Sequence, residues 1–140
     1  MDSGYVDDRM FIMQKDFDNW NEKKKKIQLR NEDIFFHDRE IWWCSLGINI
    51  GFEQDGAGEE YYRPILILKG LSQQTFLAIP LTTSTNKHKF RPYIGKVEDK
   101  DAHALISQMR VIDSKRLIHK IGYLDKKMFI EIRKTVRSLF

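Results

Sequence analysis

The chain between residues 39 and 112 contains five short apolar or aromatic runs and no segment long enough for a helix that would connect parallel strands. The runs lie at residues 40–46, 65–69, 75–79, 91–97 and 104–112. Antiparallel strands need only short turns, and glycines or polar residues separate most of these runs. The sequence therefore predicts a small, antiparallel, barrel-like sheet.

Helical patterns flank this region on both sides. Apolar residues recur every three or four positions from residue 9 to about 30, which predicts an amphipathic arm. In the simplest interpretation the arm packs on its own body; the alternatives are that it extends a dimer or rests against the site. After Asp125, a good helix cap, the same spacing is carried by Phe129, Ile132, Val136 and Leu139. We expect an N-terminal arm and link at residues 1–38 and one domain, mainly β with a C-terminal helix, at residues 39–140.

Composition narrows the class of protein. The 140 residues carry a net charge of +4, and the apolar runs are far shorter than the roughly 18 residues of a membrane helix, so no membrane segment is expected. Cys44 is the single cysteine, which excludes an internal disulfide and suggests a reducing cytoplasm. Residues 85–140 hold 14 basic and 6 acidic groups. Such a region can attract phosphate backbones, although most lysine-rich surfaces, including the run at residues 23–26, are simply solvated.

Motifs for metal or nucleotide chemistry are missing from the sequence. The four histidines show neither the spacing of four residues nor the HExxH pattern of zinc sites, and no phosphate-binding loop or GxSxG motif occurs. We therefore predict no metal and no cofactor. His119 stands alone, and is either a general base or a structural or solvated histidine.

Several short motifs, weak singly, occur together in a recognisable order. They are Arg39–Trp43, Gly51-Phe52-Glu53-Gln54, Arg63-Pro64, Ile79-Pro80-Leu81-Thr82-Thr83, the stretch at residues 106–117, and Lys120-Ile121-Gly122-Tyr123-Leu124. In this order and over about residues 39–140, the sequence resembles the MazF/PemK toxin family. The loop between Gln54 and Arg63 is longer and more acidic than in short family members, and the arm is an addition to the minimal family fold.

The resemblance implies an SH3-like barrel of the MazF/CcdB/PemK type, usually a homodimer. It also implies a type II toxin, held by an antitoxin, that cleaves single-stranded RNA without a metal. The family's catalytic pair corresponds to Arg63 and Thr82. Its substrate-contacting residues correspond to Glu53, Gln54, Gln108 and Arg110.

The chemistry of these residue types agrees with that implication. Metal-free RNA cleavage uses the substrate's 2′-hydroxyl, and a guanidinium such as Arg63 can stabilise the charge that builds up on the phosphate. Thr82, with Thr83 or Ser84, offers hydroxyl donors to the same oxygens. The general base is open between Glu53 and His119. We assign further RNA contacts to Ser84 and to two lysines of the basic region, Lys87 and Lys89.

Simpler interpretations of the same residues remain. Arg63 could form a surface ion pair with Glu59 or Glu60, and Thr82 could be a turn hydroxyl. Trp42 and Trp43 are adjacent on a strand and should face opposite sides, one in the core and the other at a dimer interface or on an RNA base.

Two other functions also fit such a barrel. One is a catalytically silent barrel that binds RNA or a protein. The other is gyrase inhibition of the CcdB type, which the resemblance ties to a tryptophan-bearing C-terminal tail; residues 137–140 contain no tryptophan.

Overall fold

Seven antiparallel strands and two helices make up the described protein. The computed structural model describes residues 16–47, 62–84 and 90–140. The helices are α1 (Phe17–Gln28) and α2 (Lys126–Arg137), and single 3₁₀ turns lie at Ile106–Gln108 and Ser114–Arg116. The strands are β1 (Glu40–Ser45), β2 (Tyr62–Gly70), β3 (Thr75–Thr82), β4 (Tyr93–Val97), β5 (Lys100–Ala104), β6 (Arg110–Asp113) and β7 (Leu117–Tyr123).

The strands form one curled sheet in the order β4-β5-β3-β2-β1-β7. β3 pairs with β2 on one side, and on the other side it pairs first with β6, through residues 75–78, and then with β5, through Leu81 and Thr82. Because β3 has two successive partners along one side, the sheet curls into a half barrel. This confirms the predicted antiparallel barrel type with helices at both ends.

The region predicted as one strand at residues 104–112 is divided in the structure. Leu81 pairs with Ala104, whereas Ala78 pairs with Arg110, so three steps along β3 correspond to six steps on the opposite chain. The 3₁₀ turn Ile106–Gln108 takes up the excess, and Ile106 is buried completely there. The prediction of a continuous strand was wrong because apolar content alone does not distinguish a buried turn from a strand.

Two cores lie on the two faces of the sheet. Along β2, Leu66 and Leu68 belong to one cluster and Ile65 and Ile67 to the other, as expected for side chains that alternate across a strand. α2 covers the first cluster. Its Asp125 cap accepts a hydrogen bond from Met128 N at 3.2 Å. The apolar face predicted for this helix is confirmed: Ile132 is buried in the cluster, and Phe129, Val136 and Leu139 pack against it.

Helix α1 packs against the Ser114–Arg116 turn, and the link that follows it packs through Ile34 and Phe36 against the second core cluster. Trp20 and Ile27 are buried, while Lys24, Lys25 and Lys26 are exposed. Gly47 has a φ of +74°, and a Cβ atom there would overlap the Trp20 ring. The Arg30 guanidinium donates to the Lys115 carbonyl at 2.8 Å, which ties the end of the arm to the turn before β7. The part of the predicted arm before residue 16 lies outside the described residues.

Neither described helix has the length and apolar character needed to cross a membrane.

Candidate active site

Arg63 and Thr82 lie at the same end of the β2–β3 pair. Ile65 pairs with Pro80, so two residues further along the antiparallel register Arg63 reaches the level of Thr82. The Arg63 Nη1 donates to the carbonyl oxygen of Leu81 at 3.1 Å. This bond orients the guanidinium beside Thr82 through one of its five N–H donors. The structure therefore brings together the two residues that the resemblance implied as a catalytic pair.

The Thr82 hydroxyl has a defined local role. Its Oγ1 accepts a hydrogen bond from Ser84 N at 3.1 Å, the arrangement of a Ser/Thr turn. Thr82 is therefore a turn hydroxyl, as one interpretation of the sequence predicted. The accepted bond leaves the hydroxyl proton available for donation, because a threonine oxygen both accepts and donates. Thr83 is exposed next to it, and Ser84 is half-buried.

A cavity of about 370 Å³ opens beside this pair. Eleven described residues line it: Trp43, Tyr62, Arg63, Pro64, Leu81, Thr82, Thr83, Val97, Glu98, Lys100 and Ala102. Arg63 and Lys100 supply positive charge to this lining and Glu98 supplies negative charge. The cavity can therefore receive a group that has both an anionic part and hydrogen-bond donors.

One wall of the cavity is aromatic. Trp43 and Tyr62 meet edge to face, with ring centroids 4.9 Å apart and an interplanar angle of 84°. The neighbouring Trp42 packs against the core cluster on the other face and donates its indole N–H to Glu40 at 2.9 Å. The prediction that the two tryptophans face opposite sides is confirmed.

Glu98 was not predicted as a site residue. It lies in the two-residue turn between Val97 and Lys100, and the Trp43 Nε1 donates to its Oε1 at 3.3 Å. Both turn residues have positive φ, 51° at Glu98 and 63° at Asp99. Because these two residues replace the Asn-Gly or Asp-Gly expected in such a turn, the sequence gives little sign of a tight hairpin here.

Three predicted residues, His119, Gln108 and Arg110, are not among the residues that line the cavity. His119 is exposed on β7 and pairs with Trp43 of β1, with ring centroids 6.3 Å apart. Because Trp43 pairs with Pro64 of β2 on its other side, His119 lies on the far side of Trp43 from Arg63. Gln108 ends the 3₁₀ turn. Arg110 pairs with Ala78, four residues before Thr82, which is roughly 13 Å along the strand. Glu53, Gln54, Lys87 and Lys89 lie outside the described residues, as do Glu59 and Glu60.

Two buried residues of β1, Cys44 and Glu40, contribute to the fold rather than to the chemistry of the site. Burial raises the pKa of the Cys44 thiol to about 12, so it is not a nucleophile at neutral pH. Burial also raises the pKa of Glu40, but hydrogen bonds from Trp42 and the His37 backbone, together with the charge of Lys120, outweigh it and hold the pKa below its ordinary value. Glu40 is therefore an ionised carboxylate that joins the link, β1 and β7.

Within the described ranges, no group of three or more histidine, cysteine, aspartate or glutamate side chains could hold a metal ion.

The family model for the PemK-like, MazF-like toxin of type II toxin-antitoxin systems matches residues 37–140. Nothing among curated proteins matches the chain in sequence.

Solved structures with a similar fold include the MazF of Deinococcus radiodurans, at 20% identity and a TM-score of 0.63, over 76% of this chain and 97% of that one. The Mycobacterium tuberculosis toxin MazF-mt6 is similar at 18% identity and a TM-score of 0.56, over 71% and 94%. A mycobacterial endoribonuclease in complex with its cognate antitoxin is similar at 13% identity and a TM-score of 0.54, over 72% and 90%.

Proposed function

Because the chain belongs to the family of PemK-like, MazF-like toxins of type II toxin-antitoxin systems, we propose that it is a metal-independent endoribonuclease that cleaves single-stranded RNA at short sequences. The observation that carries the proposal is the meeting of Arg63 and Thr82 at the β2–β3 end, beside one open cavity. That arrangement suits a phosphate, since a guanidinium and a hydroxyl can both donate to its oxygens.

The proposed reaction is an internal transfer. The 2′-oxygen of one ribose attacks the adjacent phosphorus, and the bond from phosphorus to the next 5′-oxygen breaks. Arg63 stabilises the added negative charge on the phosphate oxygens, and the Thr82 hydroxyl donates to one of them. The products are a 2′,3′-cyclic phosphate and a 5′-hydroxyl end, with the 2′-hydroxyl proton removed by a base and a proton delivered to the leaving oxygen.

We assign support of proton transfer to Glu53, because His119 lies beyond Trp43 from the cavity. Thr83, which lines the cavity, supports Thr82 as a second donor. The further RNA contacts are assigned to Gln54, Ser84, Lys87, Lys89, Gln108 and Arg110. Since Gln108 and Arg110 do not line the cavity among the described residues, they are assigned to nucleotides that flank the cleaved bond.

The proposed partners are an antitoxin and a second copy of the chain, in the cytoplasm. A toxin and antitoxin occur together in the similar MazE-MazF structure from Deinococcus radiodurans. We infer that the antitoxin brings an acidic or amphipathic segment that competes with RNA for the basic surface. Such a complex weakens as salt approaches about 0.5 M; a complex that salt leaves unchanged contradicts the electrostatic account.

The test is incubation of the purified protein with a long single-stranded RNA in EDTA, followed by mapping of the 5′ ends. Wild type is expected to cut at a recurring short sequence and leave 5′-hydroxyl ends. Arg63→Ala and Thr82→Ala should each lower the rate by about 100-fold or more. Arg133→Ala removes an exposed arginine of α2 and is the matched control, with activity unchanged.

Intact RNA at micromolar wild-type protein contradicts the proposal. If that protein still binds RNA and Arg63→Ala binds equally well, the silent barrel is the better description.

A further inference from the structure

The aromatic wall of the cavity contains groups that the proposed cleavage does not use. Trp43 and Tyr62 pack edge to face, and Glu98 lies at the end of the Trp43 indole, 3.3 Å from Nε1 to Oε1. All three line the same cavity as Arg63 and Thr82. A group bound at the catalytic pair would therefore have these rings and this carboxylate as neighbours.

The backbone around Glu98 is unusual. Val97 pairs with Lys100, so Glu98 and Asp99 form the whole turn of the β4–β5 hairpin, and both have positive φ. Residues other than glycine are uncommon in this conformation, and such residues cluster at binding and catalytic sites. A Gly-containing turn would connect the strands with less strain but would place no carboxylate at the cavity.

Glu98 retains hydrogen-bonding capacity. Among the described residues its hydrogen-bond partner is Trp43, which engages one of the two carboxylate oxygens. An ionised carboxylate accepts and does not donate, so a ligand group beside Glu98 must carry N–H or O–H donors. The aromatic side chains next to it offer surfaces on which a flat ring can stack.

Unpaired RNA bases have this combination of a flat ring and edge donors. Proteins read such bases by stacking them on aromatic side chains and bonding to their edges. Adenine, cytosine and guanine carry an exocyclic amino group that can donate to a carboxylate. Uracil has a carbonyl oxygen where cytosine has its amino group, and a carboxylate repels that oxygen. Since the N3–H of uracil is still a donor, the preference depends on contact of the carboxylate with the exocyclic position.

We propose that Trp43, Tyr62 and Glu98 form a base subsite that selects a nucleotide with an exocyclic amino group over uridine. The subsite deepens the proposed ribonuclease function and rests on it: it fixes one base next to the bond that Arg63 and Thr82 act on. Glu98 is here a specificity residue, and Trp43 both stacks on the base and holds the carboxylate in place.

The test measures binding separately from cleavage. Hexanucleotides of deoxycytidine and of deoxyuridine lack the 2′-hydroxyl nucleophile. Their bases differ in the exocyclic group, amino or carbonyl, and in the neighbouring N3, which carries a proton only in uracil. Wild type is expected to bind the deoxycytidine hexamer about tenfold more tightly. In Glu98→Gln the amide both donates and accepts, so the ratio should fall to about twofold or less.

The matched control is Asp99→Asn, which removes one negative charge from the same turn without touching the cavity lining. It should keep the wild-type ratio. Trp43→Ala should weaken both hexamers, because it removes the stacking surface. Circular dichroism of each variant checks that the sheet has formed.

Equal affinity of wild type for the two hexamers overturns the subsite, and so does an unchanged ratio in Glu98→Gln. If both Glu98→Gln and Asp99→Asn lose the preference for the deoxycytidine hexamer, the preference comes from the net charge of the turn, and the role of Glu98 is overturned. These outcomes are independent of the EDTA assay: a protein that discriminates the hexamers but leaves RNA intact contradicts the nuclease, whereas one that cuts RNA without discriminating contradicts only the subsite.

Discussion

The adjacent residues Trp42 and Trp43 make the same kind of contact in opposite surroundings. Each donates its indole N–H to a glutamate: Trp42 to Glu40 at 2.9 Å, and Trp43 to Glu98 at 3.3 Å. Glu40 is 1% exposed, and it also accepts from the His37 backbone and the Lys120 ammonium. Glu98 is exposed at a hairpin turn that borders a cavity.

This difference separates a structural pair from one that is available to a ligand. A buried carboxylate is tolerated only when its oxygens are fully bonded, so the partners of Glu40 are committed to the fold. An exposed carboxylate is already solvated, so its bond to an indole adds little stability. The same two residue types on one strand therefore contribute to stability on one face and to recognition on the other.

The largest expected effect is on stability and comes from removing the buried carboxylate. Glu40→Ala should lower the free energy of unfolding by about 3 kcal/mol, because it removes a buried charged acceptor that holds the partly buried N–H groups of His37 and Trp42. Glu98→Ala should change it by no more than about 0.5 kcal/mol. Urea unfolding followed by circular dichroism measures both. Equal losses would abolish the distinction between the two pairs.

Replacing each tryptophan in turn with phenylalanine tests the same comparison through the hydrogen-bond donor. Trp42→Phe keeps most of the packing but removes one hydrogen bond to a buried carboxylate, and we expect a loss of about 1–2 kcal/mol in unfolding free energy. Trp43→Phe should lie close to wild type in the same urea experiment. A larger loss for Trp43→Phe would show that the bond to Glu98 is a structural element of the hairpin.

The acid limb of the stability curve tests the role of the buried carboxylate directly. The pKa of Glu40 is lowered from 4.5, so the stability that its ionised form contributes is present at neutral pH and is lost as the pH falls below that value. Glu40→Gln should therefore be less stable at neutral pH and lose less stability on acidification. Asp101, whose pKa is lowered by Tyr93, is common to both proteins and cancels in the difference. Identical slopes would contradict the role of Glu40.

The smallest effect is expected from Lys120, whose Nζ lies 3.4 Å from Glu40 Oε2 and whose side chain is 41% exposed. Solvent screens such a charge; the N–H donors of Trp42 and His37 remain on Oε1, and the His37 Nδ1 remains 3.5 Å from Oε2. Lys120→Ala should lower the urea midpoint less than Trp42→Phe does. Lys134→Ala, which removes the surface pair with Glu131, is the control. A loss comparable to that of Glu40→Ala would mean that the ion pair, rather than the neutral hydrogen bonds, holds the carboxylate.

Local sequence patterns predict most of the fold but little of the candidate site. The unbroken apolar run of β2 and the Asp125 cap are legible in the sequence because neighbouring residues determine them. β7 was not predicted from periodicity, since Ile118, His119 and Lys120 are all exposed and show no alternation. Arg63 and Thr82 are assigned as a catalytic pair from the family resemblance, because no local sequence pattern shows that the two residues meet.

The contact between Trp43 and Glu98 spans 55 positions. It depends on how several strands pair and on a left-handed turn that the residues Glu98 and Asp99 do not favour, so no local pattern could have predicted it.

The Glu98–Asp99 turn also bears on protein engineering. A consensus-guided attempt to raise the melting temperature would choose Asn-Gly at these two positions, since that pair adopts the required backbone conformation with less strain. Such a variant should be more heat-resistant and yet lose sequence preference, because the carboxylate is removed together with the strain. The hairpin is thus a place where thermostabilisation and discrimination between substrates oppose each other.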